Sequence, residues 1–184
     1  MKSKFVKDLM VPLSEYVTIS QEATLYEAII ALEKAQQESG QTRYPHRAIL
    51  ILDKNNQVVG KVSLIDVLRA LEPKYSQMGN GRSVSRFGFS AQFLKSLQEQ
   101  YKLFSRPIED ICQKASQRKV KDFMSTPTEG EYIEEDESLD AAIHTLVMGN
   151  HQSLLVTKNK EIVGILKTTD VYQEICDTIK ICNL

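Results

Sequence analysis

A repeat constrains this chain more than any other feature of its sequence. Val58-Val59-Gly60-Lys61-Val62-Ser63-Leu64-Ile65-Asp66-Val67-Leu68 returns, altered, as Ile162-Val163-Gly164-Ile165-Leu166-Lys167-Thr168-Thr169-Asp170-Val171-Tyr172. Each copy reads as a short apolar strand running through a polar junction into a helix. The echo extends outward. Phe5-Val6-Lys7-Asp8-Leu9-Met10 matches Lys119-Val120-Lys121-Asp122-Phe123-Met124, and Thr24-Leu25-Tyr26-Glu27-Ala28-Ile29 matches Ser138-Leu139-Asp140-Ala141-Ala142-Ile143. His46-Arg47-Ala48-Ile49-Leu50-Ile51 matches His151-Gln152-Ser153-Leu154-Leu155-Val156. Both copies run in one order: leading helical turn, short strand, helix, strand, turn, strand, helix. Such duplication sets the architecture before any single residue is read. A unit of roughly 60 residues is marginal alone, so the two copies are expected to share one core.

Local signals support each element. Val6 to Met10 reads as one helical turn that Pro12 ends. Thr24 with Glu27 makes a capping box, and Leu25, Ala28, Ile29 and Leu32 then recur at helical spacing. Ala48 to Leu52 is a short branched run suited to a buried strand. Asp53-Lys54-Asn55-Asn56 is a hairpin turn by composition. In the second copy Ser138 caps a helix carrying Leu139, Ala142, Ile143 and Leu146, and the closing helix is expected to turn Ile175 and Ile179 inward. Residues 73–118 have no counterpart in either copy. Phe93, Leu97, Tyr101 and Phe104 predict an amphipathic helix over about Ser90 to Phe104 with one face buried against the two repeats or a second chain, and Pro107 suits the start of another.

Charge and composition exclude several partners. The formal net charge is −1, which gives no reason to expect nucleic acid or an anionic membrane. No apolar run reaches the ~20 residues needed to span a bilayer. Met1-Lys2-Ser3-Lys4-Phe5 is not followed by the apolar stretch of a signal peptide. Cys112, Cys176 and Cys182 are odd in number and unclustered, as in a reducing cytoplasm. His46, His144 and His151 do not fall at ligand spacing on one face, so no metal site is expected. No nucleophile elbow, phosphate loop or paired metal histidines appear, and no catalytic residue is assigned.

The ordered blocks, found twice, resemble a tandem pair of CBS domains (cystathionine-beta-synthase domains, paired as a Bateman module). The resemblance implies an α+β fold: two CBS repeats, 1–72 and 119–184, related by pseudo-two-fold symmetry, with a helical insert over 73–118 where the family usually has a short linker. It implies a cytoplasmic regulatory sensor of AMP, ADP, ATP or a related adenosyl ligand, requiring no cofactor. A homodimer is expected, with Leu68, Leu71, Val171 and Ile175 partly uncovered in a monomer. The output would pass to a second copy or an unknown protein partner. The alternative is a ligand-free scaffold for dimerisation or partner binding.

Candidate site residues follow from the junctions. A strand ends, a glycine permits close approach of ligand or backbone, and a helix begins whose free amides suit a phosphate. Ser63 adds a hydroxyl and Asp66 two acceptors. The family's Gly-x-x-Thr/Ser-x-x-Asp pattern for adenine nucleotides matches Gly60, Ser63 and Asp66. The same spacing is close to a capping box that needs no ligand, so both readings stand. In the second copy Gly164 and Asp170 match but Lys167 takes the hydroxyl position. Lys167 could meet a phosphate, Thr168 could supply the hydroxyl, or the site could be degenerate. The first junction therefore ranks ahead of the second. Basic groups near a phosphate would come from His46 and Arg47, with His151-Gln152 the weaker counterpart. The resemblance pairs Asp66 with Met124 to Thr128 and with Tyr132-Ile133, and pairs Asp170 with Met10 to Thr18. Arg82 and Arg86 lie in a loop that folds over a ligand or stays solvated.

Overall fold

The computed structural model describes residues 4–37, 47–72, 74–75, 89–103 and 110–181. In chain order the elements are β1 (Val11–Pro12), β2 (Thr18–Ser20), α1 (Leu25–Gln37), β3 (Ala48–Leu52), β4 (Val58–Ser63), α2 (Leu64–Leu71), α3 (Ala91–Gln100), α4 (Asp110–Gln117), β5 (Tyr132–Glu134), α5 (Leu139–Gly149), β6 (Ser153–Lys158), β7 (Glu161–Lys167) and α6 (Thr168–Ile181). β2 lies parallel to β3, and β3 antiparallel to β4. β5, β6 and β7 repeat that arrangement. The duplication is faithful down to one register shift in each hairpin, at Ile51/Leu52 and at Val156/Thr157. His46, Arg82, Arg86, Phe104, Pro107 and Cys182 lie outside the described residues.

The predicted local signals act where the spacing puts them. The Thr24 amide donates to Glu27 Oε2 at 2.6 Å, and the Glu27 amide donates to Thr24 Oγ1 at 3.2 Å, which closes a box on α1. Asp53 Oδ1 accepts from the amides of Asn55 and Gln57, and Asn56 takes φ 60, so the β3–β4 hairpin is made by side-chain acceptance and one left-handed residue. Ser138 Oγ accepts from the Ala141 amide and starts α5.

Three apolar layers follow. α1 sets Ala28, Leu32 and Ala35 on Ile49, Ile51 and Val62. α5 sets Ala142 and Leu146 on Leu154, Val156 and Leu166. Between the sheets, Leu50 of β3 and Leu155 of β6 meet Tyr16 and Ile165. This explains why β3 and β6 read as continuous apolar runs: successive side chains enter different layers, and both are apolar.

The leading turns cross over. Val6, fully buried, belongs to the core of the second repeat, and Val120, fully buried, to the core of the first. The Val6 amide donates to Glu137 O at 3.0 Å and the Val120 amide to Ala23 O at 2.8 Å. Behind each turn the chain pairs with the far sheet: Val11 faces Ile165, and Ser125 bridges Lys61. The glycines at 60 and 164 make room for these crossings. A Cβ on Gly164 would meet the Val11 carbonyl oxygen at 2.6 Å, whereas one on Gly60 would meet the movable Met124 Sδ at 2.7 Å. Gly164→Ala should therefore cost about 1–3 kcal/mol and Gly60→Ala distinctly less, because backbone yields less readily than a thioether. Urea midpoints of the two variants read this, and equal losses would contradict it.

Two expectations need correction. Val171 is 5 % exposed and sits in the second repeat's core, while Ile179 is 54 % exposed. That core takes no later residue of α6, so the helix runs beyond it after its first turn. In the insert, Ala115 of α4 packs with Leu25 and Ala70, but α3 buries none of its residues in this chain. The described residues thus bear out the helix but not burial of its apolar face against the repeats. Leu64, Ile65 and Leu68 of α2 are exposed, and Leu71 and Ile175 are half-buried. No helix among the described residues is long and apolar enough to cross a membrane.

Candidate functional site

The two junctions bring their polar residues to the boundary between repeats, and they do so differently. At the first, the capping box forms in full. The Ser63 amide donates to Asp66 Oδ2 at 2.9 Å, Ser63 Oγ donates to the same oxygen at 2.6 Å, and the Asp66 amide donates back to Ser63 Oγ at 3.4 Å. Asp66 Oδ1 accepts from Ser125 Oγ of the second repeat at 3.1 Å, with Arg69 Nη1 at 3.5 Å. Asp66 is thus buried with both oxygens engaged, one of them across the repeat boundary. Arg47 is exposed, and its carbonyl accepts from the Leu64 amide at the start of α2.

Close by, half-buried Lys61 and buried Glu131 form an ion pair linking β4 to the second repeat. Glu131 also accepts from the Thr128 amide at 3.3 Å. Burial pushes the Glu131 carboxyl up, but the Lys61 ammonium and the hydrogen bonds outweigh it and hold the group below its ordinary range. Sequence reading passed over this pair. Its signal was Lys61, a charged residue in the middle of an apolar strand whose counterpart is Ile165.

At the second junction the polar groups are not satisfied. Lys167 Nζ lies 3.4 Å from Asp170 Oδ1 without hydrogen-bond geometry, and neither that nitrogen nor Asp170 Oδ2 has a hydrogen-bond partner among the described residues. Burial pushes the Asp170 carboxyl up, and Lys167 only partly offsets it. Thr168 is committed elsewhere: its hydroxyl donates to the His151 carbonyl at 3.0 Å and its amide to the Gln152 carbonyl at 3.0 Å. Tyr16, within the Met10 to Thr18 segment that the resemblance pairs with Asp170, is buried beside this junction. Its hydroxyl donates to the Ala48 carbonyl at 2.9 Å. Burial and the Asp170 charge both push its pKa up.

Thr18 lies on the free edge of β2 and lines a groove of about 450 Å³ with Val17, Ile19, Tyr26, Ile30 and Lys34. That volume falls within the range of small-molecule sites. Tyr132 begins the equivalent edge strand β5 and is 38 % exposed.

Comparison with known proteins agrees with the duplication. The family described as CBS domain matches residues 6–73 and again 120–177. Among solved structures, a hypothetical conserved protein from Geobacillus kaustophilus aligns with TM-score 0.62 and 18 % identity, over 96 % of this chain and 98 % of that one. A CBS-pair protein, CBSX2 from Arabidopsis thaliana, aligns with TM-score 0.59 and 16 % identity, over 97 % and 99 %. CBSX2 in complex with AMP aligns with TM-score 0.59 and 19 % identity, over 94 % and 97 %. No curated protein sequence matches the chain.

Proposed function

This chain belongs to the CBS domain family, and from that premise we propose that it is a regulatory module, not an enzyme, that binds an adenine nucleotide (AMP, ADP or ATP) between its repeats. The observation that carries the reading is the second junction: a buried ammonium and a buried carboxylate oxygen of one ion pair are held at a repeat boundary with no hydrogen-bond partner among the described residues. Buried polar atoms left in that state are rare and costly, and a polar ligand supplying both an acceptor and a donor would satisfy them. The AMP bound to CBSX2 supports the choice of nucleotide.

The proposal reverses the order of the junctions read from sequence. Ser63 and Asp66 satisfy one another and Ser125, which supports a structural joint at the first junction. A ligand there would have to displace those bonds. The ligand-free scaffold reading holds for the whole chain only if the second junction is empty as well.

Melting of the full chain with AMP, ADP and ATP tests this. A nucleotide at 100 times its dissociation constant should add about 2.7 kcal/mol of stability. Sedimentation of the same samples shows whether assembly changes with ligand, through a homodimer built on the exposed Leu64, Ile65 and Leu68. No shift with any of the three nucleotides would leave the scaffold reading.

A further inference from the structure

Position 167 is where the two junctions part. In the first, Ser63 both donates to Asp66 and accepts from its amide, so the residue before α2 acts as a cap. Lysine has three donors and no acceptor, so Lys167 cannot take up the first amides of α6 in that way. The other copy has an uncharged residue at this position, and the cation beside its aspartate is Arg69 from the next turn of the helix. Yet the Lys167 side chain is drawn inward rather than released to solvent. Lys167 is 6 % exposed, and its Nζ is turned toward the first turn of α6, 3.4 Å from Asp170 Oδ1. Lysines at strand ends ordinarily keep the charged head in water.

Three features then meet at one point. The ammonium has its ion pair with Asp170 Oδ1 but no hydrogen-bond acceptor among the described residues, Asp170 Oδ2 has no donor among them, and the positive end of a helix of 14 residues begins there. A bare anion would meet the first need and be repelled by Asp170. A neutral sugar would meet the second and leave the ammonium bare. A ribosyl phosphate meets both: its phosphate oxygens accept from Nζ while its hydroxyls donate to Oδ2. A phosphate monoester carries about −1.5 to −2 charge at neutral pH. With serine at position 167 that charge would face Asp170 uncompensated.

We infer that Lys167 makes the second cleft select phosphorylated ribosyl ligands against uncharged nucleosides. The inference rests on the second junction being the ligand site, but not on the base being adenine.

Isothermal titration of the full chain with AMP, adenosine and ribose 5-phosphate tests it. Wild type should bind AMP about ten- to a hundredfold more tightly than adenosine, the size of one charge-assisted hydrogen bond. Lys167→Ser restores the residue found before α2. It should bring AMP and adenosine within about threefold of each other by weakening AMP alone. Lys167→Met serves as a second variant of similar length, and the melting curve of each unliganded variant reports whether it folds. Asp66→Ala should leave the AMP preference intact. Equal wild-type affinities for AMP and adenosine, or a preference that survives both Lys167 variants, would overturn the inference while leaving adenine binding possible. Ribose 5-phosphate binding as well as AMP, and only with Lys167 present, would uphold it and remove the adenine reading. If none of the three compounds binds, both readings fall.

Discussion

Val120→Asp should unfold the first repeat, although Val120 belongs to the second. The side chain is fully buried among Ala28, Leu32, Ile49, Ile51 and Val62. A carboxylate there has no cation to meet it, and the effective penalty for an unpaired buried ion is several kcal/mol. That is a large share of the 5–15 kcal/mol that ordinarily holds a domain together. Val120→Ala should cost about 1.5–3 kcal/mol, as for losing a buried valine. Because the exchange is mutual, Val6→Ala should cost about as much. Its signature should be faster hydrogen exchange in β5, β6 and β7 rather than in β2, β3 and β4. Denaturation should remain a single transition in both alanine variants, since neither repeat keeps a complete core without the other. Two separated transitions, or exchange confined to each residue's own repeat, would refute the interlock.

The repeat made most of this fold legible. Order and type of elements follow from two periodicities: the helical spacing of Leu25, Ala28 and Leu32, and the apolar runs of β3 and β6. Turn chemistry at Asp53 to Asn56 and the Thr24–Glu27 box fixed the joints between them. The exchange of leading turns was not legible from these patterns. Val6 and Val120 occupy equivalent positions, so the pattern around either fits docking on its own copy or on the other. The glycines at 60 and 164 carried the missing information, since each marks a close crossing. The insert was legible in part. Phe93, Leu97 and Tyr101 have helical spacing and α3 does form, but helical spacing says only that a face exists, not that anything covers it.

The candidate site was half legible. Spacing alone predicted that Ser63 and Asp66 would act together, and they do, as a closed cap. Spacing could not show that the cap would also take Ser125 from the other repeat; that came from the family resemblance, which paired Asp66 with Met124 to Thr128. Lys167 stood out as a departure from the pattern, and the structure adds that its charge is buried. Tyr16 lies in the Met10 to Thr18 segment that the resemblance paired with Asp170, but it was not singled out there, because its counterpart is Gly130 and comparing the copies pairs a large side chain with none. Asp170 and Glu131 also show why neighbours decide what burial does to a carboxylate. Both are pushed up by desolvation, but only Glu131 has a cation close enough to reverse the shift.

Breaking the Lys61–Glu131 pair should be costly, whereas replacing it whole should not. Lys61→Met leaves Glu131 charged and buried, and Glu131→Leu leaves Lys61 charged and half-buried, so the second should cost less. Loss of one partner in such a site costs about 3–5 kcal/mol. The double variant Lys61→Met, Glu131→Leu removes both charges and puts apolar groups where the second junction has Ile165 and Val17. It should be within about 1 kcal/mol of wild type or more stable, because replacing a buried ion pair whole is often neutral or stabilising. The pH dependence has a definite sign. Glu131 has a lowered pKa in the folded state, so its contribution is complete above its ordinary value of 4.5 and lost as pH falls through the lowered one. Asp170 runs the other way. Its pKa is raised above 3.8, so its charged form weakens the fold at neutral pH, and that penalty is relieved as pH falls through the raised value. Lowering pH from neutral should therefore first relieve Asp170 and only then release Glu131. Urea titrations of wild type, both single variants and the double variant across this range would check the scheme. The acid loss of stability should shrink in the double variant, and single variants as stable as wild type would show that the pair holds nothing together.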